Sequence, residues 1–364
     1  MKSRSRLTAL FTLFLSVQLG WSQEIVVPST ILEVNNSGET KKTNQIVSQH
    51  QSHKPTKAAP MPPGMTVPTT GGTEYASSLM LAPESCSTCS PRQRRLFESD
   101  RAFPNFIGPI TNPILAKDPR SLTEARFFFV QNYIPEDHPF EGGDFQAYAL
   151  QLRLALTERL TLIADRDGIA TITPGSTGIE ETGLLNIGVG LRYLFVRDVE
   201  RQLLVSGGLM FSPQTGSGNV FQSHGDGTFT VFGTVAKEFG TFNHVIVNAG
   251  YQFPVDSEDN SSFFYTSLHV DRQLFGWIYP MAELNWYHYS GSGDRGIPSS
   301  VGEGDGLLNI GTSEVAGNDL VTLGFGVSFL FNHHLQAGIA YEFPISNRED
   351  LLDDRILVEA IFRY

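Results

Sequence analysis

A histidine and a serine two positions apart are the residues of this chain best suited to covalent chemistry. His288 and Ser290 have the same parity in and just after the apolar stretch 277–289, so a strand would present both on one face. An imidazole that takes the serine proton makes the hydroxyl nucleophilic toward an ester. The pair also needs an orienting acid, for which Glu303 and Asp294 are candidates, and an oxyanion donor. These residues allow an esterase with His288 and Ser290 as its catalytic pair.

The two cysteines form a single C-x-x-C motif, Cys86 and Cys89. The motif allows a redox pair, half of a metal site, or a local disulfide in an oxidising compartment. Zinc would need a second ligand pair, haem attachment would need His where Ser90 stands, and a thioredoxin-like site would need a βαβ setting. The motif therefore favours a disulfide, and the sequence predicts no cofactor and no metal.

Composition argues against two classes of protein. The net charge is −12, and the one basic cluster, at 92–95, lies in a linker-like region, which argues against nucleic acid as a partner. Hydrophobic residues make up 40% of the chain, yet no apolar run is long enough for a transmembrane helix. The 26 Phe and 35 Gly are typical of closely packed strands with aromatic belts.

From about residue 122 onward, apolar and polar residues alternate with a period of two. At 185–195 and 321–331, for example, large apolar residues alternate with Gly, Asn, Arg, Thr or Ser. About twelve such segments occur, each near the roughly 9–11 residues that a tilted membrane strand needs. The predicted spans are 124–133, 145–157, 160–167, 183–196, 202–212, 228–238, 243–253, 262–272, 277–289, 319–331, 334–343 and 355–364.

The connections between these segments alternate between short and long. Links of a few residues, such as 157–159 and 332–333, alternate with long ones, such as 213–227 and 290–318. An even-stranded barrel with both chain ends on one side has this pattern. A soluble β-sandwich also alternates apolar and polar positions, but it does not explain the alternating connections. The sequence predicts an all-β fold, a transmembrane antiparallel up-and-down β-barrel of about 12 strands over 122–364.

The last predicted strand ends on an aromatic residue. Phe362 and Tyr364 share its apolar face with Ile356 and Val358. This resembles the C-terminal signature of bacterial outer-membrane barrels, which the barrel assembly machinery reads. The resemblance implies outer-membrane lipid as the surroundings and Phe362 and Tyr364 as the assembly signal.

The start of the chain agrees with that location. Residues 1–22 combine basic residues, a short apolar stretch and a small-x-small site, which predicts a cleaved signal peptide. Residues 23–121 are a low-complexity extension, predicted to be mostly disordered in the periplasm, where the C-terminus is also expected. Its end, near 98–121, mixes aromatics with Pro and Gly. We expect that part to be ordered, either covering the periplasmic mouth or entering the lumen.

Charged residues at inward positions of the predicted strands are the candidates for lining a pore. A charge facing lipid at the midplane would cost about 2–4 kcal/mol, so we expect these side chains to face the lumen. They are Arg153, Arg192, Glu283, Glu342, Glu359 and Arg363. They either set the solute preference of an open pore or form a salt-bridge network that fills the barrel. The loop 290–318 contains the carboxylates Asp294, Glu303, Asp305 and Glu314. They allow calcium binding or bridging to surface lipid through divalent ions, but the loop has no calcium-loop pattern, so we expect these carboxylates to be solvated.

Residues 183–216 carry a resemblance to one family, which extends over most of 122–364. A Gly-rich strand, a short turn and a strand ending in Ser-Pro-Gln-Thr-Gly resemble the MetA-pathway-of-phenol-degradation outer-membrane family. The resemblance implies a barrel of transport function. From this and from the polar inward positions, we expect a passive channel or transporter for small solutes and not an enzyme. The sequence Gly183–Gly188 recurs at Gly306–Gly311, which indicates either a further short strand in the loop or a shared way of entering a strand.

Two alternatives to a channel stay open. The His288 and Ser290 pair resembles that of outer-membrane phospholipase and lipid A deacylase barrels, although Gly291 stands where those enzymes carry Asn. The aromatic neighbours of His288, Trp286 and Tyr289, are more typical of an interfacial belt. The other alternative is a plugged structural barrel that acts as an envelope scaffold.

Overall fold

The computed structural model describes residues 95–222 and 224–364. The chain divides into two units, Met1–Arg92 and Gln93–Tyr364, and all described residues belong to the second. The predicted signal peptide 1–22 and the predicted Cys86–Cys89 disulfide therefore lie outside the described residues. In the described part of the chain, no helix is long and apolar enough to cross a bilayer.

Thirteen antiparallel strands make up the described unit, in one sheet that closes on itself. They are β1 (Glu124–Tyr133), β2 (Gly143–Ala155), β3 (Leu160–Pro174), β4 (Glu181–Leu184), β5 (Gly188–Asp198), β6 (Leu203–Ser212), β7 (Thr228–Phe239), β8 (Asn243–Pro254), β9 (Ser262–Arg272), β10 (Ile278–Gly291), β11 (Asp319–Asn332), β12 (Leu335–Pro344) and β13 (Asp354–Arg363). The first and last strands pair from Glu124–Arg363 to Tyr133–Asp354, which closes the barrel. The short strand β4 pairs only with the last part of β3, so the wall of the barrel is formed by the other twelve strands. The predicted all-β barrel of about 12 strands is confirmed.

One predicted strand, 183–196, is two strands in the structure. The third strand runs to Pro174, well past its predicted end at 167. Its residues Ile169–Ile172 pair with β4, whereas its earlier residues Leu160–Asp165 pair with β5. The change of partner occurs at a β-bulge, where Asp165 and Arg166 lie opposite the single residue Gln151. Alternation of apolar residues continues through 183–196, so the pattern alone did not reveal the break.

The two copies of the repeated hexapeptide have different structures. Gly183–Gly188 joins β4 to β5, and its Leu184 and Ile187 side chains are exposed on the wall. Gly306–Gly311 lies in the long loop, where isolated bridges replace a strand, and its Leu307 and Ile310 side chains are buried. The repeat therefore marks no shared strand, although its second leucine, Leu185 in one copy and Leu308 in the other, is buried in both.

The wall separates an apolar outer face from a polar interior. On β5, Leu191 and Tyr193 are 48% and 45% exposed, whereas Arg192 between them is 1% exposed. This alternation places side chains of opposite character on opposite faces of each strand, as membrane barrels require. The outer face is therefore suited to lipid.

The barrel has two unlike ends. The end that carries Glu124 and Arg363, here called the terminal end, has five short turns, at 156–159, 199–202, 240–242, 273–277 and 333–334. The opposite end, here called the loop end, has six longer connections, of which the longest is 292–318. The predicted alternation of connections is therefore present.

Candidate functional site

Residues 99–122 form an irregular hairpin inside the barrel, here called the plug. Both of its ends lie at the terminal end, where the Ser99 amide donates to the Tyr364 carbonyl (3.1 Å) and the Asp100 amide donates to the Ser121 carbonyl (2.8 Å). Its side chains Phe103, Ile110 and Leu115 are all at most 2% exposed. Of the two positions predicted for this segment, covering the mouth or entering the lumen, the structure has the second.

The tip of the plug is held by one carboxylate of the wall. Glu283, on the inner face of β10, accepts hydrogen bonds from the Ile110 amide (2.8 Å) and the Thr111 amide (2.6 Å). The Thr111 hydroxyl also donates to it. A charged acceptor makes each of these bonds stronger than one between neutral groups. We call this set of bonds the Glu283 latch.

Side chains of the wall also satisfy further backbone groups of the plug. Arg126 donates to the Pro109 carbonyl (2.9 Å) and Gln151 to the Pro113 carbonyl (2.6 Å). An irregular segment has no ladder of its own, so its buried amides and carbonyls need such partners. The wall is thus complementary to this one plug conformation.

Charged pairs add to the contact between plug and wall. Lys117 forms an ion pair with Asp165 of β3 (2.5 Å). Arg192 donates to the backbone carbonyl oxygens of Asp118 and Arg120. The side chains of Asp118 and Arg120 form an ion pair with each other (2.6 Å). Breaking one partner of a buried pair leaves an uncompensated charge, which is strongly destabilising. These contacts fix the position of the plug against the wall.

Two inward glycines make room for the plug. A Cβ placed on Gly324 would contact Thr111, and one placed on Gly338 would contact Ile110. Any larger residue at these positions would force the plug or the wall to move. The small inward faces that the sequence shows on β11 and β12 therefore accommodate the plug backbone.

All six predicted pore-lining residues face the barrel interior, and in this structure each has a partner. Arg153 and Arg363 both donate to Glu124, at 2.8 and 2.7 Å, and Glu359 pairs with Arg126 at 2.6 Å. The remaining three are Arg192 and Glu283, which bind the plug, and Glu342, which accepts from Asn285 (2.9 Å) and Thr322 and lies 3.2 Å from Arg355. Sequence reasoning missed Glu124 and Arg126, although both have inward parity at the start of β1.

A line of ionisable side chains extends from the terminal end to the Glu283 latch. His244 Nδ1 lies 2.7 Å from Asp271, whose other oxygen lies 3.0 Å from His269 Nε2. The second nitrogen of His269 lies 2.6 Å from Glu283. This line orients the latch carboxylate and was not predicted.

In the part of the chain that the structure describes, no group of His, Cys, Asp and Glu has the arrangement of a metal site.

The loop end is closed by residues 292–318, here called the folded loop. Glu303 accepts from the Ser261 hydroxyl (2.6 Å), the Thr312 amide (2.9 Å) and the Ile310 amide (2.8 Å), which fixes the loop against the barrel. Asp305 pairs with Arg355 of β13. The expectation that the loop carboxylates are solvated is wrong for Glu303 and Asp305, which are 1% and 6% exposed. It holds for Asp294 and Glu314, which are exposed. Glu303 accepts from backbone amides of its own loop, whereas Asp305 pairs with the barrel wall.

Burial changes the acidity of two carboxyl groups at this end. It raises the pKa of Glu303 to about 7, and the charge of Asp350 acts in the same direction. It also raises the pKa of Asp350 to about 6, against the opposing effect of Arg348. Near neutral pH, therefore, the charge of the folded loop depends on pH.

The folded loop and the plug meet inside the barrel. A Cβ on Gly306 of the loop would contact the Leu115 side chain of the plug. Leu307 and Leu308 are buried in the same apolar cluster as Ile114 and Leu115. The lumen is thus filled from both ends, and the salt-bridge network predicted as one of two possibilities is present.

The residues of the predicted catalytic pair have separate partners. His288 Nδ1 lies 2.9 Å from Asp319, which also accepts from the Trp286 indole (2.8 Å). The Ser290 hydroxyl lies 3.2 Å from the Tyr251 hydroxyl. Within the described residues, no hydrogen bond joins His288 to Ser290. The acid beside His288 is Asp319, whereas the predicted candidate Glu303 is buried in the folded loop.

Comparisons with known proteins show the fold. The chain is similar to an outer membrane channel from Pseudomonas putida F1, at 11% identity over 71% of this chain and 100% of the other, with a TM-score of 0.51. The NanC and KdgM porins align over 66% of this chain and 99% of their own, with TM-scores of 0.41 and 0.40 and identities of 7% and 10%. No family model and no curated protein matches the chain.

Proposed function

We propose that this protein is an outer-membrane channel for small solutes, and that the plug and the folded loop hold it closed in this structure. The observation that carries the proposal is a closed barrel with an apolar outer face around a lumen of charged side chains. The fold shared with a bacterial outer membrane channel supports it. The terminal end then faces the periplasm, since outer-membrane barrels have short periplasmic turns and longer outer loops.

The plug is the element that would have to move to open the lumen. The wall strands are hydrogen-bonded to one another around the whole barrel and do not need the plug as a strand. Polar groups that the plug now satisfies, such as Glu283, Arg192 and Arg126, would be hydrated after its release. A barrel lined this way would become a water-filled pore.

The first test of the proposal weakens the Glu283 latch. In Glu283→Gln, the side-chain NH2 group faces one of the two plug amides and cannot accept its hydrogen bond. We therefore expect the plug to leave its site more often. We expect at least about tenfold more frequent channel openings in planar bilayers than in the wild-type protein, because hydrogen bonds to a charged group contribute about 1.5–3 kcal/mol.

The matched control is Glu342→Gln, another buried inward carboxylate, which binds Asn285 and Thr322 of the wall. Its opening frequency should stay close to the wild-type value, while its ion selectivity changes. Equal opening frequencies in Glu283→Gln and Glu342→Gln would contradict the proposed role of the latch.

A second candidate function is a permanently closed structural barrel. The filled lumen favours it, because every predicted pore-lining residue has a partner in the structure. The two functions differ in planar bilayers. A protein that conducts neither as the wild type nor after loss of the latch would be a structural barrel and not a channel.

A narrower form of this proposal is that the protein is a member of the MetA-pathway-of-phenol-degradation family. It rests on the residues at 183–216, which in the structure include β4, β5 and β6. If the narrower form holds, small aromatic solutes should permeate liposomes carrying the latch variant faster than sugars of similar size. Equal rates would contradict it.

A further inference from the structure

Arg192 of β5 faces the lumen without a carboxylate as its partner. Its neighbours across the sheet are Thr161 of β3 and Gly208 of β6, and neither is charged. The guanidinium is 1% exposed and donates to the Thr161 hydroxyl (3.0 Å) and to two carbonyl oxygens of the plug. Among the described residues, no carboxylate lies within ion-pair distance of it. A buried guanidinium usually has a carboxylate beside it, so Arg192 depends on the plug for most of its acceptors.

Four other arginines on the inner face of the wall show the usual arrangement. Each lies at most 3.2 Å from a carboxylate that also belongs to the wall. They are Arg126 with Glu359, Arg153 and Arg363 with Glu124, and Arg355 with Glu342. These pairs do not include the plug, so they remain after the plug leaves. Of its present partners, Arg192 would then keep only the Thr161 hydroxyl.

The plug presents two oxygen atoms to the guanidinium fork of Arg192. One terminal nitrogen donates to the Asp118 carbonyl and the other donates to the Arg120 carbonyl. A carboxylate that binds a guanidinium bidentately supplies two acceptor oxygens in the same way, and its negative charge makes both bonds stronger. The plug backbone therefore occupies a place that suits a carboxylate group.

The charges of the wall near Arg192 have an excess of positive sign. Arg153 of β2 and Glu124 of β1 act on Arg192 with opposite sign. Glu124 is shared between Arg153 (2.8 Å) and Arg363 (2.7 Å). Together with Arg192, these side chains are three guanidinium groups and one carboxylate. A pore lined by such a set attracts anions.

We propose that Arg192 binds the carboxylate group of small organic acids in the open channel, and that the carbonyl oxygens of Asp118 and Arg120 take that place in the closed one. Departure of the plug, residues 99–122, vacates the space beside the guanidinium, which gives room for the rest of the solute. The inference rests on the proposed function, because it names the class of solute that the channel admits.

Single-channel recording of the full-length protein in potassium acetate tests this site. All variants carry Glu283→Gln, which weakens the latch. With Arg192 intact, we expect a conductance that saturates with acetate and a reversal potential that shows preference for the anion. Adding Arg192→Gln should raise the half-saturating acetate concentration at least about tenfold, because hydrogen bonds between charged groups are lost, and should shift the reversal potential toward that of potassium. Both quantities are read from open channels, so they do not depend on how often the plug leaves.

Two further variants separate the guanidinium fork from charge in general. Arg192→Lys keeps the positive charge without the fork and should retain anion preference with an intermediate half-saturating concentration. Arg201→Gln removes an exposed arginine at the terminal end and should behave as Glu283→Gln alone does. Conductance that does not saturate with acetate, or a half-saturating concentration unchanged by Arg192→Gln, would overturn the site and leave the channel standing. Absence of conductance in every variant would overturn the channel and the site together.

Discussion

Glu124 of β1 links the two neighbouring strands, β2 and β13, through its carboxylate at the terminal end. One oxygen accepts from Arg153 of β2, the other from Arg363 of β13, and the residue is 4% exposed. Replacement by Gln leaves two buried guanidinium groups without their counter-charge. We expect the free energy of unfolding to fall by about 3–5 kcal/mol, measured by denaturant titration in detergent. Glu158→Gln, in an exposed turn at the same end, should change it by less than about 0.5 kcal/mol.

At the residue scale, the sequence predicted which face a charge occupies but not its partner. Inward parity placed Arg153, Glu283 and Glu342 correctly inside the barrel. Pairing depends on strand stagger and on what enters the lumen, which period-two alternation does not record. Glu283 therefore looked like any other inward carboxylate, although it holds the plug. Arg166 lies in a bulge, where parity is lost.

Among the separate elements, the folded loop is the one whose stability should depend on pH. Burial raises the pKa of Glu303 to about 7, so the folded loop binds a proton that an unfolded loop, with a pKa near 4.5, releases. The loop is therefore most stable at low pH and loses stability as the pH rises from 4.5 through about 7. From pH 6 to pH 8, the equilibrium constant for opening of the folded loop should therefore rise about tenfold.

Hydrogen exchange of the Ile310 and Thr312 amides, corrected for the intrinsic pH dependence of exchange, measures that equilibrium. Both amides donate to Glu303, so their protection should fall from pH 6 to pH 8. In Glu303→Gln the protection should not change with pH in this range, apart from a smaller contribution of Asp350. Protection that rises with pH in the wild-type protein would contradict this account of the loop.

The last strand carries the predicted assembly signal at its terminal end. Phe362 and Tyr364 are 53% and 57% exposed on the outer face, as the alternation in the sequence predicts. We expect Tyr364→Asp to reduce the amount of folded, heat-modifiable protein in the outer-membrane fraction, while the molecules that do fold conduct normally. Tyr133→Asp, at an exposed aromatic of the loop end, is the control and should reduce it less. Equal losses in the two variants would argue for general surface damage and not for a signal.

Most regular strands were predictable from the sequence, whereas the bulged β3, the short β4 and the irregular segments were not. Strand β1 and strand β9 have the predicted bounds, because alternation over a full strand specifies the element. The plug and the folded loop have no periodicity, and their conformations depend on contacts with inner faces of distant strands. For that reason the mixed aromatic, Pro and Gly composition near 98–121 indicated order without specifying a position.

For the whole molecule, neighbouring strands pair in sequence order, so local patterns were sufficient to predict a closed barrel. The state of its lumen was not predictable, since it depends on where the plug and the folded loop pack. The central claim is that this lumen conducts when the plug leaves and does not conduct while it is in place. Testing the claim requires a plug that can be fixed and released within one protein.

A reversible disulfide between the plug and the wall provides the most direct test. A Cβ built on Gly324 lies 3.4 Å from the Cβ of Thr111, close to the roughly 3.5–4.5 Å found in disulfides. Thr111→Cys and Gly324→Cys are combined in a background in which Cys86 and Cys89 are replaced by Ser, and single-channel conductance is recorded before and after reduction. We predict no openings in the oxidised protein and frequent openings after reduction. Openings of equal frequency in the oxidised and reduced protein would contradict the claim that the plug closes this channel.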